Sequence, residues 1–358
     1  AKKTILLGMD TRISSDMLAS ALTAGILSVG YDVINLGVVP TPAVAYLTRR
    51  YKAHAGIMIS ASHNPFEFNG IKVFNADGFK LADELEENIE SMVLGEVPMP
   101  KPATGAKIGK IIHKPEAIDD YIKFVALTTT ERLDGLTVAF DCANGSSAMT
   151  AETLFTELGA KVHMLHDEPN GTNINDNCGS THMESLVEYV KTHKVDAGIA
   201  FDGDADRCLA VDENGEVIDG DFIMAICGLD MKSRGKLNKD CIVGTIMTNL
   251  GFVKCCEANG IHFEATKVGD RYVLEEMLLE NYSYEVVDLG RDVPPEKIAE
   301  ETVKRRAPLV GLSALMTTTV PSMEETIRLL RKEAPWTRIM VGGAVLTEEY
   351  AKSIGADV

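Results

Sequence analysis

The chain has 358 residues, with 35 Lys and Arg against 53 Asp and Glu, and its formal net charge is -18. This charge argues against nonspecific binding to nucleic acid, because such binding needs basic surfaces. A hydrophobic content of 45% is that of a globular protein. No apolar run approaches the roughly 18 residues of a membrane-spanning helix, and no signal peptide is visible. We therefore expect no membrane partner.

Short β-branched runs alternate with helical stretches from the start of the chain. The predicted strands are 4–7, 31–37 and 55–60, and the predicted helices are 16–30, 43–51 and 83–96. Residues 95–110, rich in Pro, Gly and Lys, are interpreted as a loop or hairpin. Because the chain opens almost directly in a strand, we expect further residues upstream.

The same alternation continues to the last residues. The predicted elements are a strand and loop at 136–145, helix 148–160, strand 161–165, helix 183–193, strand 196–202, stretches 242–249 and 262–267, helix 270–281, strand 284–289, and alternating stretches at 295–306, 309–315, 322–333, 338–343 and 346–355. Alternation of this kind favours α/β layers with a mostly parallel sheet.

The first candidate site lies in GIMISASHNPFEFNGIKVF, residues 56–74. A strand ending before its polar loop places that loop at the carboxyl edge of a parallel sheet, where ligand sites of α/β proteins lie. Ser62 and His63 lie on the loop, and Lys72 is a cation able to hold a phosphate or shuttle a proton. Gly70 is expected to adopt an unusual backbone dihedral. A polar loop with an N-capping serine is the alternative that these residues leave open.

The second candidate site lies in GIAFDGDADRCLAVDENG, residues 198–215. An apolar strand enters a loop that carries Asp202, Asp204 and Asp206, and the chain leaves as another strand. Three carboxylates at alternating positions repel one another unless a divalent cation neutralises them, and oxygen ligands suit Mg²⁺ or Mn²⁺. The alternative is an acidic, solvated turn. A hydroxyl, a lysine and a metal loop together predict phosphoryl transfer.

Four motifs resemble those of the α-D-phosphohexomutase superfamily: ISASHNP (59–65), NGIK (69–72), DGDADR (202–207) and VGDRYV (268–273). Three flanking segments are similar to those of bacterial phosphoglucosamine mutases, which belong to this superfamily: GMDTRISSDML (8–18), VVPTPAVAYLT (38–48) and NDNCGSTH (175–182). The resemblance implies consecutive phosphohexomutase-type α/β domains with mixed, mostly parallel sheets. Their expected bounds are 1–115 for an N-terminally truncated domain 1, 116–216 for domain 2 and 217–283 for a partial domain 3.

This resemblance implies a phosphosugar mutase that interconverts glucosamine 6-phosphate and glucosamine 1-phosphate through a phosphoserine and a 1,6-bisphosphate. The implied carrier is Ser62, and the implied ligands of one Mg²⁺ are Ser62, Asp202, Asp204 and Asp206. Arg207 and Lys72 would contact phosphate or substrate and assist proton transfer, while His63 and Arg12 would line the site. The implied substrate-binding residues are Lys267, Gly269, Asp270 and Arg271.

The family's third-domain sugar loop, Gly-Glu-x-Ser-Gly-His, does not follow Ser283, where it is expected. The family's N-terminal opening and its fourth domain are not found in these 358 residues either. We therefore expect impaired mutase turnover. A Mg²⁺-dependent sugar phosphatase, in which water takes the phosphate from Ser62, is an alternative function.

Residues 284–358 resemble part of the cobalamin-binding domain of corrinoid methyl-carrier proteins, which implies a Rossmann-like βαβ segment. Ser313 and Thr317 would line the corrinoid nucleotide tail, and Gly342 and Gly343 would let the tail lie against backbone. That family's Asp-x-His-x-x-Gly motif is absent, and no histidine follows His262. We therefore expect an α/β segment without cobalamin, and a corrinoid-binding or methyl-carrier module is the alternative.

Seven cysteines are scattered along the chain without a Cys-x-x-Cys pair. This pattern is typical of free thiols in a reducing cytosol. A cytoplasmic protein with a phosphosugar as its partner is the resulting expectation.

Overall fold

The computed structural model describes residues 3–81, 83–281, 293–307, 309–313, 320–342 and 348–357. The chain divides into two compact units, Ala1–Asn281 and Tyr282–Val358. Within the described ranges, every helix is too short or too polar to cross a lipid bilayer. The strand predicted at 284–289 lies outside the described residues.

The first sheet of the larger unit has five strands: β1 (Thr4–Met9), β2 (Asp32–Val38), β3 (Ala55–Ile59), β4 (Ile71–Asn75) and β5 (Ile111–Ile112). Its helices are α1 (Ser15–Ser28), α2 (Thr41–Arg50), α3 (Asp83–Val93) and α4 (Ala117–Ala126). The strand order is β4-β3-β1-β2-β5. Strand β4 is antiparallel to β3, and the other pairs are parallel.

Consecutive residues of β1 show how helices cover both faces of this sheet. Leu6 packs in a cluster with Val44 and Leu47 of α2, whereas Leu7 packs with Ala19 of α1. Successive side chains of a strand point to opposite faces, so an uninterrupted apolar strand is buried on both sides. The apolar TILLGM run therefore encodes a central strand.

The second sheet contains β6 (Thr137–Asp141), β7 (Lys161–Leu165), β8 (Ala197–Phe201), β9 (Cys208–Val211) and β10 (Val217–Ile218), with helices α5 (Ala151–Glu157) and α6 (Glu184–His193). The order is β10-β9-β8-β6-β7. Strand β6 pairs in parallel with β7 and β8, while the pairs β8–β9 and β9–β10 are antiparallel. Here too the faces alternate, because Ala139 packs with α6 residues and Phe140 packs with Phe155 of α5.

A smaller layer completes the larger unit: α7 (Gly220–Ser233), β11 (Cys241–Thr245), α8 (Leu250–Ala258), β12 (His262–Thr266) and α9 (Asp270–Asn281). Strands β11 and β12 are parallel. The side chains of Asp219 and Asn249 cap α7 and α8. Each accepts a hydrogen bond from the backbone N–H of the third residue of its helix, Phe222 in α7 and Phe252 in α8.

The second unit contains α10 (Pro295–Arg305), β13 (Leu309–Ser313), α11 (Val320–Glu333), β14 (Arg338–Gly342) and α12 (Glu348–Ser353). Strands β13 and β14 are parallel. The core packs Met323, Ile327 and Leu330 of α11 against Ala299 and Ile339. The predicted α/β class is confirmed in both units.

Some local predictions are wrong. Strand β4 is not among the predicted strands. Residues 95–110, interpreted as a loop or hairpin, form a loop with a short 3₁₀ turn at Gly105–Lys107. The helix predicted from 148 begins at Ala151, after a 3₁₀ turn. Gly70 does not have a positive φ angle; a Cβ there would lie 2.5 Å from the carbonyl oxygen of Ser60. Close backbone approach, and not an unusual dihedral, therefore requires glycine.

Candidate active site

The serine loop, residues 60–70, connects the carboxyl end of parallel strand β3 to antiparallel strand β4. The buried Ser60 Oγ accepts a hydrogen bond of 2.9 Å from the backbone N–H of Ser62. Ser62 has a φ angle of 55°, in the left-handed region that non-glycine residues rarely occupy. Such strain persists only where the surroundings over-determine the backbone.

Arg12 supplies much of that constraint. Its guanidinium donates hydrogen bonds to the carbonyl oxygens of Ser62 at 3.0 Å and Asn64 at 2.8 Å, and also to that of Pro65. Its Nε atom lies 2.9 Å from Asp10 Oδ2, and neither side chain is exposed. The resemblance implies that Arg12 lines the site. In the structure its guanidinium bonds to backbone carbonyl oxygens of the serine loop and so supports that loop.

Asn175 holds the same loop from the second sheet, and the sequence-based predictions missed it. Its side-chain amide donates to the carbonyl oxygens of Ser62 at 2.9 Å and Asn64 at 3.0 Å. The residue is buried, with 7% of its surface exposed. Asn175 belongs to the NDNCGSTH motif, which marks it as a candidate site residue. The motif does not indicate that its side chain bonds to the serine loop.

The acidic loop, residues 202–207, has the same topological position in the second sheet. It connects the carboxyl end of parallel strand β8 to antiparallel strand β9. One carboxylate oxygen from each of Asp202, Asp204 and Asp206 lies within 4.8 Å of the others. Ala205 has a φ angle of 54° and donates its N–H to Asp202 O at 3.0 Å. This tight turn directs all three side chains to one region.

Burial makes these charges costly. Asp202 and Asp204 are 1% and 0% exposed, and the Oδ1 atom of Asp204 is buried without a hydrogen-bond partner. Burial raises the pKa of Asp202, and the neighbouring carboxylates add to the effect, although the hydrogen bond from Ser62 opposes it. Carboxylates buried this close together require positive charge nearby, and Arg207 Nε, 3.4 Å from Asp202 Oδ2 and 3.6 Å from Asp206 Oδ1, supplies part of it.

Lys72 is the nearest cation that the described residues supply. It lies on β4, and its Nζ atom is 2.5 Å from Asp204 Oδ2 and 2.7 Å from Asp206 Oδ2. Burial alone would lower the pKa of Lys72, but the attraction of the two carboxylates outweighs this and raises it. Lys72 is therefore an ammonium ion at neutral pH.

Ser62 joins the two loops directly. Its Oγ atom lies 2.6 Å from Asp202 Oδ2 and accepts a hydrogen bond of 2.5 Å from Arg207 Nη2. The same nitrogen of Arg207 lies 2.7 Å from His63 Nδ1. Because arginine can only donate, that ring nitrogen is the acceptor, and any proton on a neutral His63 sits on Nε2.

Thr41 is a second residue that the predictions missed. Its N–H donates to Asp204 O at 2.9 Å, and its hydroxyl donates to Asp204 Oδ2. It starts α2, so the acidic loop of the second sheet is tied to a helix of the first. Thr41 lies in the VVPTPAVAYLT motif, but nothing in that motif indicates that Asp204 is its partner.

The predicted substrate-binding residues lie around the start of α9. Among the hydrogen bonds given for the described residues, those of this group go to partners other than Ser62 and the three aspartates. Asp270 Oδ2 lies 2.7 Å from Lys80 Nζ. Burial opposes ionisation there, but Lys80, helped by the charge of Lys72, lowers the pKa of Asp270. The other three are placed as follows: Gly269 has a φ angle of 140°, Arg271 pairs with Glu275 at 2.9 Å, and Lys267 Nζ lies 5.7 Å from the ring centre of Tyr272.

The residues predicted to contact cobalamin belong to the second unit. Ser313 and Gly342 pair in register at the carboxyl ends of β13 and β14. Thr317 and Gly343 lie outside the described residues. Their roles stay predictions.

Three family matches follow one another along the larger unit. Residues 1–97, 119–215 and 219–286 match alpha/beta/alpha domains I, II and III of phosphoglucomutase/phosphomannomutase. The chain belongs to the phosphoglucomutase/phosphomannomutase family over these domains. Residues 262–358 match a B12 binding domain, so the two matches overlap at 262–286. Both resemblances noted in the sequence are thus confirmed.

Relatives within this family are phosphoglucosamine mutases. That of Clostridium acetobutylicum is 55% identical over 284 residues, which cover 78% of this chain and 63% of the relative. That of Clostridium novyi is 56% identical with the same coverage. The chain thus spans less than two thirds of the length of these curated relatives.

A solved structure shares the fold at low sequence identity. A phosphoglucomutase/phosphomannomutase family protein from Burkholderia thailandensis superposes with a TM-score of 0.67 at 21% identity, covering 78% of this chain and 61% of that one.

Proposed function

We propose that the larger unit transfers a phosphoryl group between Ser62 and a phosphosugar, with one Mg²⁺ held by the acidic loop. The contact of Ser62 Oγ with Asp202 Oδ2 at 2.6 Å carries this proposal. It brings a hydroxyl to a cluster of carboxylates across two sheets, an arrangement that packing alone does not favour. Relatives named phosphoglucosamine mutases support glucosamine 6-phosphate and glucosamine 1-phosphate as substrates, and such a role fits a cytoplasmic protein.

The donor set fits Mg²⁺. Asp202, Asp204 and Asp206 offer hard oxygen ligands close together, and the buried Oδ1 of Asp204 lacks a partner that a cation would supply. Together with Ser62 they would hold the ion. When bound, Mg²⁺ supplies positive charge that offsets the negative charge of the transferred phosphoryl group.

The chain's own residues account for the remaining chemistry. As a sugar hydroxyl oxygen bonds to phosphorus, the bond from phosphorus to Ser62 Oγ breaks, and the proton that the sugar hydroxyl loses is balanced by the one that Ser62 Oγ gains. Arg207 donates a hydrogen bond to that Oγ and stabilises the charge that develops there. In the reverse direction, the proton of Ser62 has Asp202 Oδ2 as its acceptor. Lys72, held as an ammonium ion, serves as a charge partner or acid and not as a base.

Phosphorylation of Ser62 is the direct test of the proposal. The full chain would be incubated with Mg²⁺ and a hexose 1,6-bisphosphate, then studied by intact mass and peptide mapping. We expect one phosphate on the peptide that contains Ser62, and much less in Asp204→Asn. Phosphate on another residue, or equal labelling of the variant, contradicts the proposal.

We further propose that complete mutase turnover by this chain is weak. The sequence after Ser283 resembles a B12 binding domain in place of the family's sugar loop. Remote contacts with substrate normally orient the reacting end, and their loss costs several kcal/mol. At about 1.4 kcal/mol per factor of ten, turnover should fall by several orders of magnitude. A coupled assay that finds turnover equal to that of a full-length relative would overturn this expectation.

Two alternative functions have separate tests. Slow release of inorganic phosphate from phosphorylated Ser62, without a sugar acceptor, would indicate a Mg²⁺-dependent phosphatase. The match to a B12 binding domain favours a corrinoid role for the second unit, whereas the lack of histidine after His262 opposes cobalt ligation by imidazole. We propose that the second unit binds no cobalamin; an altered cobalamin absorption spectrum on mixing would contradict this.

A further inference from the structure

A second group of metal-ligating side chains lies outside the proposed phosphoryl-transfer site. Asp141 ends β6, His166 directly follows β7, and Cys178 lies on the loop before α6. One ligand atom from each lies within 4.8 Å of the others. Three separated segments thus bring a carboxylate, an imidazole and a thiol to one point at the carboxyl edge of the second sheet.

Two atoms of this group are buried without a hydrogen bond. Asp141 is 0% exposed; its Oδ1 accepts from the N–H of Ala143 at 2.9 Å, but its Oδ2 has no such donor. His166 Nδ1 lies 3.0 Å from Asp141 Oδ2, yet the two are not aligned for a hydrogen bond. A buried carboxylate oxygen that accepts no hydrogen bond is costly unless the imidazole is protonated as its ion-pair partner, and here the oxygen also faces the Cys178 thiol.

We propose that Asp141, His166 and Cys178 form a Zn²⁺ site. Sulfur, nitrogen and oxygen from one residue each are a ligand set that Zn²⁺ accepts and Mg²⁺ does not, because Mg²⁺ requires oxygen ligands. In tetrahedral coordination neighbouring ligand atoms lie roughly 3–4 Å apart; His166 Nδ1 and Asp141 Oδ2 are 3.0 Å apart, and the Cys178 sulfur lies within 4.8 Å of a ligand atom of each. The side chain of His166 is 31% exposed, so a water molecule can complete the coordination from that side.

The thiol is compatible with this site. Burial raises the pKa of Cys178 to about 12, and the charge of Asp141 adds to the effect, so the thiol is protonated when no cation is present. A bound Zn²⁺ supplies the opposite charge, and binding then releases the thiol proton to solvent.

The position of the site suggests a bracing role. Asn175 lies three residues before Cys178, and Gly179 lies against Phe201, the last residue of β8 before the acidic loop. A cation that joins β6, β7 and this segment would hold Asn175 where it contacts the serine loop. The zinc site itself stands independently of any chemistry at Ser62.

Zinc competition tests the proposal on the full chain, freed of metal by chelation and kept in excess Mg²⁺ so that the acidic loop is occupied. We expect one Zn²⁺ per chain to be withdrawn from a chromophoric chelator. Cys178→Ser should weaken binding at least tenfold, since loss of even an outer partner costs about 10–100-fold. Cys208→Ser, which alters an exposed thiol, should have no effect.

Cobalt provides a second measurement that does not depend on affinity. Co²⁺ bound through Cys178 should give a thiolate charge-transfer absorption that Cys178→Ser removes and His166→Gln alters, with circular dichroism confirming that both variants fold. Equal zinc affinity in the parent and Cys178→Ser proteins, or cobalt binding without the thiolate band, would overturn the proposal and leave Asp141 and His166 as a metal-free ion pair.

Discussion

The serine loop and the acidic loop occupy equivalent places in their two sheets, yet they are held in different ways. Each connects a parallel strand to an antiparallel neighbour, β3 to β4 and β8 to β9. The acidic loop is closed by its own backbone, with Asp202 N–H bonded to Arg207 O at 3.2 Å, and its outside support for carbonyl oxygens comes from the backbone N–H groups of Thr41 and Ser146. The serine loop has several of its carbonyl oxygens bonded by side chains from elsewhere.

This difference fits the roles proposed for the two loops, a nucleophilic hydroxyl on one and a cation site on the other. Carboxylates that bind a metal need to converge, which a tight turn achieves locally. A hydroxyl that meets those carboxylates needs one fixed position relative to a distant loop, which requires donors from outside its own segment. Mutations should therefore affect the serine loop through Arg12 and Asn175, and the acidic loop through Lys72.

Removal of the Ser62 hydroxyl should have the largest effect of all, a complete loss of phosphorylation. Ser62→Ala should take up no phosphate from a hexose bisphosphate, because no acceptor oxygen is left on the serine loop. Ser14→Ala removes another hydroxyl near the loop, one that bonds Asn69, and should be labelled as the parent is. Mass spectrometry of both proteins checks this, and labelling of Ser62→Ala would place the carrier elsewhere.

Arg12→Met should destabilise the protein by about 3–5 kcal/mol, because it leaves the buried Asp10 charge without its partner. Urea unfolding measures the free energy. The matched control is Arg234→Met, since Arg234 pairs with Asp230 at 2.8 Å with about half of each side chain exposed; that change should cost less than about 1 kcal/mol. Equal losses in the two variants would mean that burial of the Arg12 pair has no special importance.

Lys72→Met should lower the free energy of unfolding by roughly 2 kcal/mol without Mg²⁺, because Asp204 and Asp206 lose their shared cation. Saturating Mg²⁺ should remove most of this loss, since the ion supplies the missing charge. Lys114→Met, which disrupts a more exposed pair with Glu116, is the control. Urea unfolding curves with and without Mg²⁺ measure the change in the free energy of unfolding. If Mg²⁺ leaves the destabilisation of Lys72→Met unchanged, that result argues against a metal at the acidic loop.

Asn175→Ala should cost roughly 1 kcal/mol more than Asn177→Ala, through the lost bonds to the serine loop. Both residues have positive φ angles, 59° and 50°, so the backbone strain of alanine is matched. The side chain of Asn177 bonds only to Asp176 among the contacts described. Comparison of the two unfolding free energies isolates the side-chain contribution, and no difference would show that Arg12 alone suffices.

Most of the α/β pattern could be predicted from periodicity, because strands such as TILLGM and helices such as α9 have strong apolar or helical signals. Strand β4 is harder to predict, because IKVFN is only five residues long and directly follows a polar loop. The acidic loop could be predicted as a cluster, since its members are two residues apart. Asn175 and Thr41 could not, because their partners lie more than 100 residues away in sequence.

The sequence by itself determined the order of strands and helices, the acidic loop and the identity of the candidate hydroxyl, because these depend on local spacing and residue chemistry. The tertiary structure decided which loops meet. Only the packed sheets place Ser62 against Asp202, put Arg12 beneath the serine loop and gather Asp141, His166 and Cys178. Side-chain contacts between distant segments depend on the register and packing of both sheets, and no short stretch of sequence contains that information.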